Sequence, residues 1–411
     1  MKVLLVSTSE RSGGGAIAAR RLMEALNKNG MKAKMMVRDK QSDAITVCKV
    51  GNKLPKLLER LAILPHISPL KGGWGGFRTR LWQADIANVG IGITRTREFQ
   101  EADVIHLHWV NQGMLSLNEL DKIMGSGKRI VWTLHDEWPY LGVCHYQGDC
   151  TEAECRQCPI LCGSLPYRLY MRKRAIYQRW YPTFVGCSQW ITDQARRVLP
   201  SEHIEHINNC IPSDLFHPTD MRQARESLSL PQDKRLLLFC SQNVSDERKG
   251  MTYLTEAIKI LPQGENVDRA LHLVIVGKNS EQIPLPEGIK ATRFDSVGEQ
   301  TMPLLYNAAD VFITPSLQDN LPNTIAEAMS CGTPCVGFNV GGIPEMIDHL
   351  ENGYVARYRD AADLAAGIRF VLNNDLREAA HAKAAHAYNE TAVAQQYIKL
   401  YTQSEYSEYS E

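Results

Sequence analysis

The sequence predicts an α/β protein in which two doubly wound, parallel-sheet domains of Rossmann-like type face an interdomain cleft. Three observations support this prediction. The chain has 411 residues, more than a single hydrophobic core usually supports. Short apolar runs alternate with helical patterns in two separate series, as in parallel sheets covered by helices on both faces. A turn-rich stretch at 208–212 separates the two series.

The first series begins with a β-α-β unit. Val3–Val6 has the length of a buried strand, Gly13, Gly14 and Gly15 follow it, and a helical pattern runs from about Ala16 to Leu26. The next strand is expected at Lys32–Val37. Later apolar runs extend the same sheet at Val104–Leu107, Ile130–Leu134 and Phe184–Val185.

The second series gives the domain limits. Its apolar runs, each followed by a helical pattern, are Leu236–Phe239, Leu273–Val276, Val311–Ile313 and Pro334–Val336. We expect an N-terminal domain at 1–208 with a cysteine-rich insertion at 142–163, and a C-terminal domain at 209–385. Residues 386–411 are expected to form a helix that crosses back to the first domain, followed by a frayed tail.

Composition excludes several classes of protein. Lys plus Arg and Asp plus Glu each number 46, so the net charge is zero, which argues against a nucleic-acid-coating protein. No apolar run approaches the roughly 20 residues of a membrane span. The apolar stretch at the N-terminus is too short for a signal peptide. We therefore expect a cytoplasmic protein whose eleven cysteines are reduced.

The loop formed by Gly13, Gly14 and Gly15 follows a strand and opens a helix, a position suited to a phosphate or an acceptor group. The glycines with Ala18, and Asp39 about 20 residues further on, also fit the loose dinucleotide pattern of an NAD(P)-dependent dehydrogenase. A tight strand-helix turn without a ligand is the third interpretation. The loop alone does not choose among the three.

The segment 315–329 carries two carboxylates after a predicted strand, at the sheet edge where open α/β sheets bind ligands. Asn323 and Thr324 begin a predicted helix that contains Glu327, and Asp319 lies on the loop before it. A carboxylate accepts two hydrogen bonds from a vicinal diol, and a helix N-terminus suits a diphosphate. The segment therefore predicts a site for a phosphorylated, hydroxyl-rich ligand.

Together with Cys331-Gly332-Thr333-Pro334 and Gly341-Gly342-Ile343-Pro344-Glu345, this segment resembles the donor-site signature of retaining glycosyltransferase family 4, whose members have the GT-B fold. The resemblance is closest to colanic-acid and capsular exopolysaccharide enzymes. It implies a retaining hexosyltransferase that moves a sugar from a nucleotide-diphosphate donor to a glycan or lipid-linked glycan acceptor in cell-surface polysaccharide assembly. The N-terminal domain would bind the acceptor and the C-terminal domain the donor.

The resemblance also implies residue roles. Glu327 would hold the donor ribose, Asp319 the sugar hydroxyls, Lys249 the diphosphate, and His135 would contact the sugar near the reacting centre. Arg248 is a candidate second cation, because Asn243 stands where many relatives carry an arginine. The remaining donor-binding candidates are Asn320, Leu321, Asn323 and Thr324. No catalytic metal is expected, because cationic side chains stabilise the leaving diphosphate. A non-catalytic sugar-nucleotide or glycan binder remains an alternative.

Two further histidines, His106 and His108, alternate along a predicted strand end. They either line the acceptor site or pack in the core.

Five cysteines fall within residues 144–162, and Cys155 and Cys158 have the spacing of a zinc knuckle. A structural zinc held by Cys144, Cys150, Cys155 and Cys158 is one interpretation. Buried free thiols and disulfides formed by air oxidation are the others.

Basic residues interleave with aromatics at 167–181, a pattern that suits a helix lying on anionic lipid. We extend this expectation of peripheral contact with the inner membrane face to residues 54–82, which include Trp74, Phe77 and Trp82. The alternative is a solvated helix whose aromatics pack inward.

Overall fold

A computed structural model describes residues 1–66, 83–148, 150, 154–199, 203–261 and 270–403. The chain divides into two compact units: unit 1 comprises Met1–Asn209 with Thr391–Glu411, and unit 2 comprises Cys210–Glu390. The first division lies one residue beyond the expected position. The second lies five residues beyond the expected 385/386 boundary, next to the start of the last helix.

Unit 1 contains a parallel sheet that has seven strands among the described residues, in the order β3-β2-β1-β4-β5-β6-β7. Val3, Leu4, Leu5 and Val6 are all buried, because helices cover both faces of a parallel sheet. The strands are β1 (Lys2–Ser9), β2 (Lys32–Asp39), β3 (Val47–Lys49), β4 (Val104–Leu107), β5 (Arg129–Leu134), β6 (Thr183–Gly186) and β7 (Ile204–His206).

Several helices of unit 1 begin where the sequence supplies a capping side chain or glycine. Ser116 and Ser188 accept hydrogen bonds from backbone N–H groups of the first turn, and the first helix starts at Gly14 after Gly13, whose φ is 95°. The helices are α1 (Gly14–Lys28), α2 (Leu54–Ile63), α3 (Arg97–Glu101), α4 (Leu117–Met124), α5 (Leu165–Trp180), α6 (Gln189–Val198) and, from the end of the chain, Glu390–Thr402.

Unit 2 contains a second parallel sheet, with six strands among the described residues in the order β10-β9-β8-β11-β12-β13. Its central strands are continuous apolar runs, and Leu236, Leu237, Leu238 and Phe239 are all buried. The strands are β8 (Arg235–Asn243), β9 (Leu271–Lys278), β10 (Lys290–Phe294), β11 (Val311–Thr314), β12 (Cys335–Phe338) and β13 (Gly353–Ala356).

Seven α-helices of unit 2, numbered in chain order, follow α6 among the described residues. They are α7 (Met221–Ser227), α8 (Met251–Ile260), α9 (Met302–Ala308), α10 (Asn323–Ser330), α11 (Ile343–Met346), α12 (Ala361–Asn373) and α13 (Arg377–Ala387). The unit 1 helix Glu390–Thr402 is α14. Among the described residues, none of these helices combines the length and the apolarity needed to cross a bilayer.

Each sheet has a point where its strand order reverses, and such points are where open α/β sheets bind ligands. In unit 1 this point lies between β1 and β4, and in unit 2 between β8 and β11. The loops that follow these four strands carry the glycine triplet, His108, Lys249 and Asp319 respectively. The predicted fold class of two doubly wound parallel-sheet domains is confirmed.

Candidate functional site

The centre of the unit 2 site is an ion pair between the loops that follow β8 and β11. The Nζ of Lys249 donates to Oδ2 of Asp319 at 2.6 Å. The hydroxyl of Ser316 donates to the same carboxylate oxygen at 3.3 Å. The sheet topology therefore brings together two of the residues that the resemblance singled out, although they are 70 positions apart in the sequence.

Glycines allow these loops to approach each other. Gly250 has a φ of 72°, and a Cβ there would lie 1.8 Å from the carbonyl oxygen of Pro315. Gly341, after β12, has a φ of 58°, and a Cβ there would lie 1.7 Å from the carbonyl oxygen of Asp319. Only glycine fits positions where backbones come this close. The backbone around Asp319 is thus supported from both sides.

Backbone hydrogen bonds join the same three loops. The N–H of Leu317 donates to the carbonyl of Arg248 at 2.7 Å, and the N–H of Gly342 donates to the carbonyl of Asn320 at 2.8 Å. These bonds connect the loop after β11 to its neighbours after β8 and β12. They fix the backbone that carries the carboxylate of Asp319.

Glu327 is buried in α10, where the hydroxyl of Tyr306 donates to its Oε2 at 2.7 Å. Burial and the nearby Glu327 carboxylate raise the pKa of Tyr306 well above its ordinary value. Burial also raises the pKa of Cys240 on β8, with Glu327 acting in the same direction and Lys249 in the opposite one. Cys240 is therefore within electrostatic range of both Glu327 and Lys249.

Two predicted donor-binding residues make contacts within their own loop. Arg248 forms a two-point interaction with Asp246, at 2.7 Å from Nη2 to Oδ2 and 3.2 Å from Nε to Oδ1. The side-chain oxygen of Asn243 accepts from the backbone N–H and hydroxyl of Ser245 at 3.1 and 2.8 Å, and from the amide of Asn279 at 2.8 Å. These contacts order the loop between β8 and α8, which carries Lys249.

The other donor-binding candidates lie at the start of α10. Asn320 and Leu321 are buried, whereas Asn323 and Thr324, the first two helical residues, are half-buried. No side chain caps this helix at Pro322. The helix begins at Asn323, as the sequence predicted.

In unit 1, the glycine loop and His135 come together at the carboxyl ends of β1 and β5. A Cβ on Gly15 would lie 3.0 Å from Cγ of the His135 ring, so the ring rests against the first turn of α1. The helix starts at Gly14, two residues earlier than the sequence pattern indicated. His135 also shares a hydrogen bond with His108, 2.9 Å from Nδ1 of His108 to Nε2 of His135.

His106 and His108 are both buried, so the structure favours the packed interpretation over exposure to an acceptor. Nδ1 of His106 is 2.7 Å from the hydroxyl of Tyr401, and its Nε2 is 2.8 Å from Oγ1 of Thr133. The hydroxyl of Tyr397 is 2.9 Å from the same Thr133 oxygen. The last helix, α14, thus supplies hydroxyls to the buried end of this histidine group.

The histidines are neutral at neutral pH. Burial lowers the pKa of His135 to about 4, with Asp136 acting in the opposite direction, and burial together with His135 lowers the pKa of His106 to about 3. The pKa of His108 is lowered well below its ordinary value by burial and by both neighbouring rings. A neutral imidazole offers hydrogen bonds rather than a positive charge.

Asp136, next to His135, is a buried carboxylate with several donors. Its Oδ2 accepts from Trp109 Nε1 at 2.8 Å and lies 2.7 Å from His145 Nδ1, and its Oδ1 accepts from the backbone N–H of Trp138 at 3.0 Å. Burial alone would raise the pKa of Asp136, but His145 and these donors together lower it. They hold the backbone immediately after His135 in place.

The zinc prediction is not supported. Among the described residues, which include Cys144, Cys150, Cys155 and Cys158, no group of three or more potential ligands has an arrangement that could hold a metal ion. Two of the sulfurs accept backbone hydrogen bonds: Cys155 accepts from the N–H of Gly142 at 3.2 Å, and Cys158 accepts from the N–H of Leu161 at 3.4 Å. The thiol of Cys144 donates to Cys158, and this bond together with burial raises the pKa of Cys144. All four are free cysteines.

The lipid-binding interpretation of residues 167–181 is also not supported. Tyr170 and Tyr177 are buried against the body of unit 1, and the charged end of Lys173 is buried with them. The Nζ of Lys173 donates to the carbonyls of Trp138 and Leu141 at 2.6 and 2.8 Å. This segment, α5, follows the inward-packed alternative, because its central aromatic rings point into the core.

The second segment proposed for membrane contact, 54–82, is described only as far as residue 66. Trp74, Phe77 and Trp82 lie outside the described residues.

Asp39, the acidic residue of the dinucleotide pattern, forms a two-point ion pair with Arg38, at 3.1 Å from Nε and 2.6 Å from Nη2. In this arrangement both carboxylate oxygens accept from a cation. Arg38 thus orients the carboxylate of Asp39 at the carboxyl end of β2.

Four residues with contacts at these sites were not predicted from the sequence: Ser316, Tyr306, Tyr397 and Tyr401. Ser316 lies within the motif 315–329 and could have been noted as a polar neighbour of Asp319. The tyrosines carry no local signal, because each contacts a partner from a different element.

Comparisons with known proteins find a family match within unit 2. Residues 234–374 match the family model described as "Glycosyl transferases group 1". The chain is 23% identical over 312 residues to N-acetyl-alpha-D-glucosaminyl L-malate synthase of Bacillus anthracis, covering 74% of this chain and 75% of that protein. It is 26% identical over 220 residues to D-inositol 3-phosphate glycosyltransferase of Thermobispora bispora, covering about half of each.

Solved structures of low sequence identity share the fold over nearly the whole chain. Sucrose-phosphate synthase from Thermosynechococcus elongatus aligns with a TM-score of 0.66 at 20% identity, covering 97% of this chain and 98% of that one. Anabaena HepE, solved in complex with UDP-glucose, aligns with a TM-score of 0.63 at 17% identity, covering 97% and 99%. Residues 234–374 thus match a group 1 glycosyltransferase model, and the chain has the two-domain GT-B fold of these solved structures.

Proposed function

We propose that the protein is a retaining glycosyltransferase that moves a hexosyl group from a nucleoside-diphosphate sugar to a glycan or lipid-linked glycan in cell-surface polysaccharide assembly. The observation that carries the proposal is the ion pair between Lys249 and Asp319, which lies at the strand-order reversal of unit 2. Buried Glu327 is on the helix that follows Asp319. A cation, a polar carboxylate and a buried carboxylate suit the diphosphate, the sugar and the ribose of one donor.

Each side chain has a distinct role in this proposal. Lys249 exchanges its bond with Asp319 for the donor diphosphate, whose negative charge grows as the glycosidic bond breaks. Asp319 then accepts hydrogen bonds from sugar hydroxyls. Glu327, held by Tyr306, accepts from the ribose hydroxyls. The relative from Anabaena was solved with UDP-glucose, which supports a nucleotide sugar as the donor class.

Unit 1 would supply the acceptor site, with neutral His135 offering a hydrogen bond near the transferred sugar. In the retaining reaction the acceptor hydroxyl attacks the anomeric carbon on the face from which the diphosphate leaves. The nucleoside diphosphate leaves with the electron pair of the broken bond, and its departing oxygen takes the proton of the acceptor hydroxyl. The protein contributes position and charge stabilisation to this step.

Ligand stabilisation of the full chain tests the donor site. We expect one of UDP, GDP or ADP, with its sugar conjugates, to raise the melting temperature, since a ligand at 100 times its Kd adds about 2.7 kcal/mol. NAD and NADP serve as the opposing panel. Stabilisation by NAD(P) and by none of the nucleoside diphosphates would refute the proposal.

A pair of variants tests whether transfer depends on the ion pair between Lys249 and Asp319. Lys249→Ala should lower transfer by about a hundredfold or more, because one preorganised charge at a leaving group is worth that much. Lys290→Ala, at an exposed position on β10, is the matched control and should leave transfer unchanged. Binding of the donor without any turnover on glycan acceptors would instead indicate a non-catalytic binder. Proton NMR of the first product formed distinguishes retention from inversion.

A further inference from the structure

His108 and His135 lie at the same edge of the unit 1 sheet. His108 directly follows β4 and His135 directly follows β5, and these two strands pair in parallel. The two rings are nearly parallel, with centroids 5.2 Å apart and an angle of 22° between their planes. Nδ1 of His108 is 2.9 Å from Nε2 of His135, the distance of a well-formed hydrogen bond. Because burial keeps both imidazoles neutral, one of these nitrogens donates and the other accepts.

The second ring nitrogen of His108 indicates the direction of this bond. Nε2 is buried and has no hydrogen-bond partner among the described residues. If His135 donated, the single proton of His108 would lie on Nε2, as a buried N–H without an acceptor. If His108 donates, its Nε2 carries only a lone pair. A buried N–H without an acceptor is the rarer of these two defects in folded proteins. The geometry therefore favours Nδ1 of His108 as the donor.

Contacts from three other strands hold His108 in this orientation. The ring of His106 packs against the ring of His108, with centroids 4.2 Å apart. The indole N–H of Trp132 donates to the backbone carbonyl of His108 at 3.0 Å. The backbone N–H of His108 donates to the carbonyl of Val6 at 3.0 Å. Since these residues come from β4, β5 and β1 respectively, His108 has a fixed place in the sheet from which it can orient the ring of His135.

We propose that His108 is a positioning residue, which fixes the tautomer of His135 by donating a hydrogen bond from Nδ1 to its Nε2. A neutral imidazole carries one proton, so His135 carries its proton on Nδ1. That N–H is a donor of fixed direction, a group suited to an oxygen atom of a sugar. The role in transfer rests on the proposed function, in which His135 offers a hydrogen bond near the transferred sugar. In that reaction His135 donates through Nδ1, because His108 occupies its Nε2.

The tautomers can be observed in the full chain without any substrate. Proton–nitrogen correlation NMR of the protein, isotope-labelled on its histidines, distinguishes protonated from unprotonated ring nitrogens. Comparison with His108→Leu and His135→Leu assigns the two sets of signals. At neutral pH we expect a proton on Nδ1 and none on Nε2 in both His108 and His135. A proton on Nε2 of His135 would reverse the direction of the hydrogen bond and overturn the inference.

Substitutions of His108 test its role in transfer. His108→Leu removes the donor and should lower kcat by about tenfold or more, the effect of one hydrogen bond near a reacting centre. His108→Asn places an amide nitrogen close to the position of Nδ1, so it should keep the tautomer of His135 and most of the transfer rate. His108→Gln carries its amide nearer to the position of Nε2 and should resemble His108→Leu. If His108 only filled space, the larger leucine and glutamine would be tolerated better than asparagine, and that order would contradict the inference.

His386→Leu, at an exposed position on α13, is the matched control and should leave kcat unchanged. Melting temperatures identify any variant that does not fold; if His108→Leu is one, His108→Gln replaces it, with the same expected loss of kcat. Absence of transfer by the wild type would refute the proposed function, and the tautomer of His135 would then test the inference alone. A wild-type kcat in folded His108→Leu would refute the positioning role while the proposed function stands.

Discussion

A shared proton between two buried carboxyl groups should make the stability of unit 1 depend on pH. Glu59 on α2 and Asp85 are both buried, and the backbone N–H of Ala87 donates to each, at 3.0 and 2.9 Å. Burial, followed by the charge of Asp85 and a hydrogen bond to it, raises the pKa of Glu59 far above its ordinary value of 4.5. Native Glu59 therefore carries a proton at neutral pH and donates it to Asp85.

The sign of the effect follows from proton binding. Between pH 4.5 and the raised native pKa, the native state binds one proton at Glu59 that the unfolded state has released. The stability contributed by this group is complete below the unfolded pKa and is lost as the pH rises, by about 1.4 kcal/mol per pH unit. From about pH 6 to about pH 8 the loss is about 2.7 kcal/mol, which corresponds to roughly 5–10 °C in melting temperature for a unit of this size.

Glu59→Gln removes the titration and keeps the contacts. The amide NH₂ of the variant donates to Asp85, and its carbonyl accepts from Ala87, so the variant should lose stability less steeply with pH than the wild type. The observable is the difference between the two melting curves at each pH. That difference cancels the contribution of Lys173, whose pKa burial lowers to about 7 and whose effect above that pH has the opposite sign.

Glu205→Gln, at an exposed position on β7, is the matched control. Its stability should fall with rising pH as steeply as that of the wild type. If the wild type and Glu59→Gln lose stability in parallel from about pH 6 to about pH 8, the shared proton does not exist and the reasoning is refuted.

Two further variants test the unit 2 site. Gly341→Ala should displace the backbone of Asp319 and lower transfer strongly, because the new Cβ would lie 1.7 Å from the Asp319 carbonyl oxygen. Gly298→Ala is the control, because a Cβ there has nothing within 4 Å, and it should leave the rate in the same transfer assay unchanged. Tyr306→Phe should cost about 1.5–3 kcal/mol in unfolding experiments, since it removes a hydrogen bond to the buried carboxylate of Glu327. An unchanged denaturation midpoint would show that this bond contributes nothing to stability.

The central strands could be predicted from the sequence because a parallel strand buried on both faces reads as a continuous apolar run. Leu236–Phe239 and Val3–Val6 illustrate this. Four strands were not predicted from the sequence: β3, β7, β10 and β13. These strands have three to five residues and mixed burial, so their sequences carry no clear period. Short edge strands are specified by pairing with a neighbour rather than by their own pattern.

The unit 2 site was predictable to a similar extent. Lys249, Asp319 and Glu327 all follow central strands and stand in a recognisable motif, so their proximity follows once the strand order is known. The glycine contacts at Gly250 and Gly341 are requirements of loop packing, and a sequence shows only that a glycine is present, not which backbone approaches it.

Helices α2 and α5 show where sequence periodicity fails. Apolar residues at helical spacing usually mark the buried face, but on α2 the leucines at positions 54, 57, 58 and 61 are exposed and Glu59 is buried instead. On α5 the basic and aromatic pattern suggested an exposed interfacial helix, yet Lys173 is buried with its aromatic neighbours. In both helices, a buried side chain that would be charged in water finds specific partners, and these partners come from distant segments.

The last helix, α14, gives the clearest example of partners that lie far apart in the sequence. Tyr401 and Tyr397 reach the buried His106 and Thr133, across 295 and 264 positions of sequence respectively. No local pattern could indicate these pairs, because each of the four residues alone looks like an ordinary polar residue in an apolar helix or strand. Without α14, the imidazole of His106 and the hydroxyl of Thr133 would lose these partners, and an unsatisfied buried polar group is costly. The C-terminal helix is therefore part of the core of unit 1, and the histidine group beside the glycine loop depends on residues from both ends of the chain.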